Sequence, residues 1–128
     1  MPDYAIVNLL EIDDSINGRV DGLEGRFSRK HLDSRDLGVS HWRYAPGTRG
    51  FNHSHREQEE AYVVVAGSGR VRIDDEVRDV RRWDVVRVAP GVVRAFEAGP
   101  DGLELIAVGG PKPEGGDGVS SDAPWPGD

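Results

Sequence analysis

The sequence contains no cysteine, so disulfide bonds and thiolate metal ligands are both excluded. Positive charge is also in short supply, since 16 lysine and arginine residues face 23 aspartate and glutamate residues and leave a formal net charge of −7. This balance disfavours nucleic acid and anionic membrane surfaces as partners, because both are themselves negatively charged.

Long apolar runs are missing as well. No stretch approaches the ~20 residues that a membrane-spanning helix needs. The N-terminus, Met1-Pro2-Asp3-Tyr4, has no basic region followed by an apolar run, which a secretory signal would show. We therefore expect a cytoplasmic protein that has no membrane partner.

What the sequence does contain is a series of short valine-rich segments separated by turn residues. Its 128 residues suit one domain with an ordinary core, and its 17 glycines and 8 prolines indicate many turns. Strands at intervals of about 8–12 residues predict an all-β sandwich or barrel. The predicted strands cover residues 5–10, 39–44, 61–66, 70–74, 76–80, 85–88, 92–97 and 103–108.

A pair of histidines and a nearby carboxylate are the clearest candidates for a functional site. In a strand, His53 and His55 point to the same face, and Glu60 follows after a short turn. Glu59 is an alternative carboxylate, because one residue of register decides which of the two faces inward. Two imidazoles and one carboxylate suit Fe(II), Mn(II), Zn(II) or Ni(II). The same polar segment also suits a solvated surface loop, and spacing alone does not separate the two interpretations.

The histidines belong to a longer frame that resembles the first motif of the cupin superfamily. Gly47, five residues, His53-x-His55, four residues, Glu60, six residues and Gly67 match that motif at every fixed position. The resemblance selects Glu60 over Glu59. It implies an all-β jelly-roll β-barrel (a double-stranded β-helix) in a single domain, usually dimeric, with the ligand pocket inside. It implies no single reaction.

A second segment is similar to the second cupin motif but lacks its histidine. Gly91 matches, Trp83 stands in place of the first glycine, and Arg94 stands in place of the metal-binding histidine. Because Trp83 replaces a turn glycine, we expect a turn that needs no positive φ at that position. The resemblance covers residues 40–108 approximately.

Arg94 changes what the site is expected to do. A guanidinium is always protonated and has no lone pair, so Arg94 cannot be a metal ligand. At about 5 Å and an effective dielectric of about 20, it repels a dication by about 6–7 kcal/mol before Glu60 and screening offset it. Three arrangements remain open. Arg94 pairs with Glu60 in a metal-free site, or the triad holds a metal while Arg94 turns away or anchors an anion, or Arg94 faces solvent.

Strand parity extends the candidate pocket to two aromatic residues. Tyr62 has the parity of Glu60, and Phe96 has the parity of Arg94, although both also suit an ordinary core. The sequence assigns no residue a catalytic role. The predicted pocket comprises His53, His55, Glu60, Tyr62, Arg94 and Phe96, with His53, His55 and Glu60 as the candidate metal ligands.

The resemblance also suggests how the chain is organised. Residues 1–38 are expected to form an N-terminal strand and an irregular segment packing on the barrel, and residues 39–108 the barrel core. Residues 109–128 are rich in glycine and proline and are expected to form an extended or disordered tail. Trp125 either docks on the body or on a neighbouring subunit, or stays unattached.

Three functions fit these observations. The first is a binding protein that accepts a small anionic molecule, such as a carboxylate or phosphate, through Arg94. The second is a metal-dependent enzyme of oxygenase or isomerase type, built on the two histidines and the glutamate. The third is a non-catalytic dimeric accessory protein. A homodimer is the expected assembly.

Overall fold

The computed structural model describes residues 3–128 and shows one curled sheet of eight strands. The strands are β1 (Leu23–Phe27), β2 (Gly38–Tyr44), β3 (His53–His55), β4 (Glu60–Ile73), β5 (Glu76–Arg81), β6 (Val85–Val88), β7 (Arg94–Gly109) and β8 (Gly118–Ser120). A 3-10 helix at Leu9–Glu11 and a short helix α1 (Arg29–Leu32) accompany them. No helix within residues 3–128 is long and apolar enough to cross a membrane. The all-β jelly-roll prediction is confirmed.

Two long bent strands, β4 and β7, form the backbone of the barrel. They pair antiparallel along almost their whole length, with register shifts on either side of Gly67. The other edge of β7 is covered by β2 along one half and by β3 near its start. The other edge of β4 is covered by β6 and then β5. This arrangement brings the starts of β3, β4 and β7 toward one interior.

The turn glycines inside β4 mark a bend and not the end of a strand. Four predicted strands, at residues 61–66, 70–74, 92–97 and 103–108, are in fact halves of β4 and β7. Gly67 has φ +74°, and a Cβ there would lie 2.1 Å from the carbonyl oxygen of Gly102. Only glycine permits this close approach of the two strands, which is why the pairing continues through the bend.

The core lies between the two halves of the sheet. Its centre is formed by side chains that alternate along β4 and β7, so that every second residue faces inward. The most deeply buried apolar residues are Ile16, Val64, Val71, Val88, Leu103 and Leu105.

The predicted N-terminal strand at residues 5–10 is wrong. That segment is irregular, ends in the 3-10 helix, and leaves Ile6 85% exposed. Its residues have reasonable strand propensity, but propensity without a sheet edge to pair with does not make a strand. The N-terminal strand is β1 instead, which pairs with β2.

The C-terminal segment is ordered against the body. β8 pairs with β3, directly beside the two histidines. Trp125 is 7% exposed, and its ring lies 4.5 Å from the Arg49 guanidinium. Arg72 donates to the carbonyl oxygens of Ala123 and Pro124. Of the outcomes left open for Trp125, docking on the body is the one observed. The homodimer and the cytoplasmic location stay predictions.

The expectation for Trp83 is wrong. This residue adopts φ +77°, the left-handed conformation that its glycine counterpart in the motif would adopt easily. A bulky residue pays a steric penalty of about 1–2 kcal/mol there. The turn holds this geometry because the Trp83 N–H donates to the carbonyl of Val64 at 2.7 Å. The indole ring is 65% exposed and packs only loosely, near Arg82.

Replacing Trp83 with glycine is expected to stabilise the protein. The substitution relieves the steric penalty and loses little burial, so the free energy of unfolding should rise by about 0.5–1 kcal/mol. Urea denaturation followed by circular dichroism measures this change. Trp83→Ala is the matched control, because it removes the ring but keeps a Cβ at positive φ. Equal stability of the two variants would show that strain at Trp83 is not the cause.

Candidate functional site

The start of each of three strands contributes to one polar cluster. β3 provides His53 and His55, Glu60 begins β4, and Arg94 begins β7 opposite His53. One ligand atom from each of His53, His55 and Glu60 lies within 4.8 Å of the others. Glu59 points away and pairs with Arg87 at 2.7 Å on the surface. Glu60 is therefore the inward carboxylate, as the motif resemblance indicated.

Both histidines present the same ring nitrogen to the centre of the cluster. His53 Nδ1 lies 3.2 Å from the carbonyl oxygen of Phe51, and His55 Nδ1 lies 2.9 Å from Asp117 Oδ1. A carbonyl or carboxylate oxygen only accepts, so Nδ1 carries the proton in each ring. The Nε2 atoms then face Glu60 Oε1, at 3.2 Å from His55 and 3.9 Å from His53. Metal-ligating histidines typically show this arrangement.

The cluster fits a divalent metal. With bonds of about 2.0–2.1 Å, neighbouring ligand atoms around a metal lie about 3.0–3.4 Å apart. The Nε2 to Oε1 distances of 3.2 and 3.9 Å need only a small contraction to reach that range. The donor set is therefore suited to holding a metal in both chemistry and spacing.

Asp117 is a site residue that the sequence did not reveal. It comes from the segment before β8, and its Oδ2 accepts from the backbone N–H groups of Glu57 and Gln58 at 2.7 and 2.8 Å. Burial raises the pKa of Asp117, but these bonds and the one from His55 outweigh it and lower the pKa to about 2. Asp117 is thus a fixed negative charge behind His55. No motif surrounds it, so only the pairing of β8 with β3 could have identified it.

Glu60 is also held in its ionised form. Burial raises its pKa, but hydrogen bonds from His55, whose Nε2 carries a second proton when no metal is bound, and from Tyr62 outweigh this effect and lower it overall. The Tyr62 hydroxyl donates to Glu60 Oε1 at 2.6 Å, and its ring packs 4.9 Å from that of Phe96. Burial and the Glu60 charge raise the pKa of Tyr62 well above its usual value, so the hydroxyl stays protonated. Tyr62 and Phe96 both line the cavity and belong to the core.

Arg94 is completely buried, so the arrangement in which it faces solvent is wrong. Its Nη1 donates to the carbonyl of Val92 at 3.0 Å. Its Nη2 lies 3.7 Å from Glu60 Oε1, which is close enough for attraction but too long for a hydrogen bond. Within residues 3–128, Nε and Nη2 have no hydrogen-bond partner. Buried donors of this kind are rare and call for an explanation.

These groups open onto a cavity of about 540 Å³ inside the barrel. Its charged lining is basic apart from Glu60, although the chain as a whole is acidic. The sequence prediction included Arg94 but none of the other basic residues, because they come from irregular segments and from α1. The basic lining residues are Arg19, Arg29, Arg94 and Lys112.

Comparison with known proteins agrees with this architecture. The family profile described as "Cupin domain" matches residues 40–109, and the chain belongs to this family. A search of curated proteins gives no match.

Solved structures with the same fold include three of different sizes. KdgF from Halomonas sp. is 16% identical, with 89% of this chain and 90% of that chain covered and a TM-score of 0.65. A double-stranded β-helix protein from Klebsiella pneumoniae is 18% identical, with 92% and 97% covered and a TM-score of 0.73. Oxalate decarboxylase from Bacillus subtilis is 22% identical, with 91% and 32% covered and a TM-score of 0.73. This chain therefore spans about a third of the decarboxylase. At these identities the likeness shows the fold alone.

Proposed function

We propose that this protein binds a small organic carboxylate inside its barrel. His53, His55 and Glu60 hold a divalent metal, and Arg94 contacts the carboxylate beside it. The observation that carries the proposal is the pair of donors on the buried Arg94 side chain that have no partner within residues 3–128. A ligand that accepts from both of them removes the cost of burying them unpaired.

The geometry of Arg94 suits an anion with two neighbouring oxygens, such as a carboxylate. Nε and Nη2 lie along one edge of the planar guanidinium, and Nη1 is already bonded to the carbonyl of Val92. Two parallel N–H groups along one edge match the two oxygens of a carboxylate. Oxalate decarboxylase, which shares the fold, is named for a carboxylic acid, and a decarboxylase of Lactobacillus farciminis is described as a formate complex.

The charges around the site also support this arrangement. A divalent metal and Arg94 carry three positive charges, whereas Glu60 and Asp117 carry two negative ones. The repulsion between metal and arginine is thus offset by two carboxylates, and one carboxylate ligand neutralises the remainder. Further basic side chains around the cavity attract an anion to it.

A metal held by His53, His55 and Glu60 would supply Lewis-acid polarisation of a ligand oxygen. The chain's own residues have separate tasks. Asp117 fixes the His55 ring, Tyr62 fixes Glu60 Oε1, and Arg94 orients the carboxylate.

Calorimetric titration of acetate tests the proposal. The full chain, supplied with one equivalent of Mn(II), is expected to bind acetate with a Kd of about 0.1–1 mM, near the limit for so small a ligand. Acetamide, which has the same shape but no charge, should bind at least about tenfold more weakly. Absence of acetate binding, or equal binding of acetamide, would contradict the proposal.

A further inference from the structure

One wall of the cavity is a row of aromatic side chains. The rings of Phe27 and Trp42 meet edge to face with centroids 5.2 Å apart, and those of Trp42 and Phe51 lie 6.4 Å apart. All three residues line the cavity that contains Arg94 and the triad. Phe51 is adjacent to the triad, because its carbonyl accepts from His53.

A glycine opposite Trp42 provides the space that this row of rings occupies. Trp42 on β2 lies opposite Gly25 on β1. A Cβ at Gly25 would be 2.9 Å from Trp42 Cζ3, so any larger residue would displace the indole ring. Phe27 is two residues further along β1 and shares the face of Gly25. The two strands therefore present the rings together.

The side chains at the polar end of the cavity, around Arg94, are more deeply buried than those of this aromatic wall. Arg94 is fully buried, whereas Phe27 and Phe51 are 39% and 38% exposed. Two partly exposed phenylalanine rings beside a deep polar site form a surface that an apolar group covers favourably. The cavity of about 540 Å³ is also far larger than acetate or oxalate requires.

Two polar side chains beside this wall, Ser28 and Gln58, are already engaged in hydrogen bonds. The Ser28 hydroxyl donates to the carbonyl of Val39 at 2.6 Å, and Gln58 Nε2 donates to that of Gly110 at 2.9 Å. A hydroxyl-rich ligand would find no free partner at these two positions, whereas Arg19, whose guanidinium lies 5.7 Å from the centre of the Phe51 ring, and Lys112 also line the cavity. The three aromatic rings themselves favour an apolar body over a sugar.

We infer that the ligand is an aromatic carboxylate, with its carboxylate on Arg94 and its ring against Phe27, Trp42 and Phe51. This inference rests on the proposed function, which places the carboxylate at Arg94. Each edge-to-face contact is expected to strengthen binding roughly two- to twelvefold beyond the effect of the area it buries.

Titration with ligands that share a carboxylate tests the inference. Benzoate should bind the Mn(II)-supplied full chain at least about tenfold more tightly than acetate. Phe51→Ala and Phe27→Ala should each lower benzoate affinity about three- to tenfold and change acetate affinity by less than about twofold. Both rings are partly exposed, so both variants should fold. Tyr4→Ala is the matched control, because Tyr4 is an exposed aromatic residue outside the cavity lining, and it should change neither affinity.

The outcomes separate this inference from the proposed function. Equal affinity for benzoate and acetate would overturn the aromatic assignment and leave the carboxylate site standing. Tighter binding of glucuronate than of benzoate would also overturn the aromatic assignment, in favour of a sugar acid, and would leave the carboxylate site standing. Absence of binding by all three acids would overturn both.

Discussion

Replacing Arg94 with glutamine is expected to weaken acetate binding about 100-fold, because the ligand loses two charge-assisted hydrogen bonds. Within residues 3–128, Nε and Nη2 of Arg94 have no hydrogen-bond partner, so both are free to donate to the ligand. Calorimetric titration of the Mn(II)-supplied variant measures the loss. Arg94→Lys keeps the charge but not the planar fork, and an intermediate loss is expected.

The metal affinity of Arg94→Gln, unlike its acetate affinity, is not expected to fall. Arg94 is not a ligand, and its charge repels a dication, so Arg94→Gln should bind Mn(II) at least as tightly as the wild type. Arg87→Gln is the matched control, because Arg87 pairs with Glu59 on the surface away from the cavity. A melting temperature close to that of the wild type verifies folding. Unchanged acetate binding in folded Arg94→Gln would remove Arg94 from the proposed ligand site.

Replacing Asp117 with asparagine is expected to lower metal affinity about 10–100-fold. The amide oxygen of asparagine would take the two backbone donors of Glu57 and Gln58, which turns its NH₂ group toward His55 Nδ1. His55 must then accept at Nδ1 and carry its proton on Nε2, the atom that faces the metal position. The substitution thus inverts the tautomer as well as removing a charge.

Competition with a fluorescent zinc indicator measures this affinity. Asp122→Asn is the matched control, since Asp122 is an exposed aspartate in the same C-terminal segment. It should bind zinc as the wild type does. If Asp117→Asn also binds zinc as the wild type does, His55 is not a metal ligand, and the triad is not the ligand set.

The sequence predicted the fold and the centre of the site from local information. The cupin frame around His53, His55 and Glu60 has fixed spacing, and Glu60 begins β4, whose first half was among the predicted strands, whereas β3 (His53–His55) was not. Sequence alternation could not distinguish a bend from a strand end at Gly67. The bend depends on how closely Gly102 approaches from a distant part of the chain.

Asp117 illustrates what local information cannot supply. It lies in a glycine-rich stretch whose composition indicates a tail, and its role arises only because β8 pairs with β3. When Glu60 is the only carboxylate considered, one negative charge offsets the repulsion between Arg94 and a bound metal. Asp117 adds a second negative charge, which offsets this repulsion further. Trp83 shows the reverse case, in which the motif position predicts the backbone conformation better than the residue type does.

The metal content of the purified full chain after loading with metal is the most direct test of the site. Elemental analysis of the wild type, after incubation with Mn(II), Fe(II), Zn(II) or Ni(II) and desalting, should give about one metal per chain. His55→Ala should lose it, and His31→Ala, which changes an exposed histidine of α1, should keep it. A wild type that retains none of the four metals would instead show that Arg94 and Glu60 pair in a metal-free pocket.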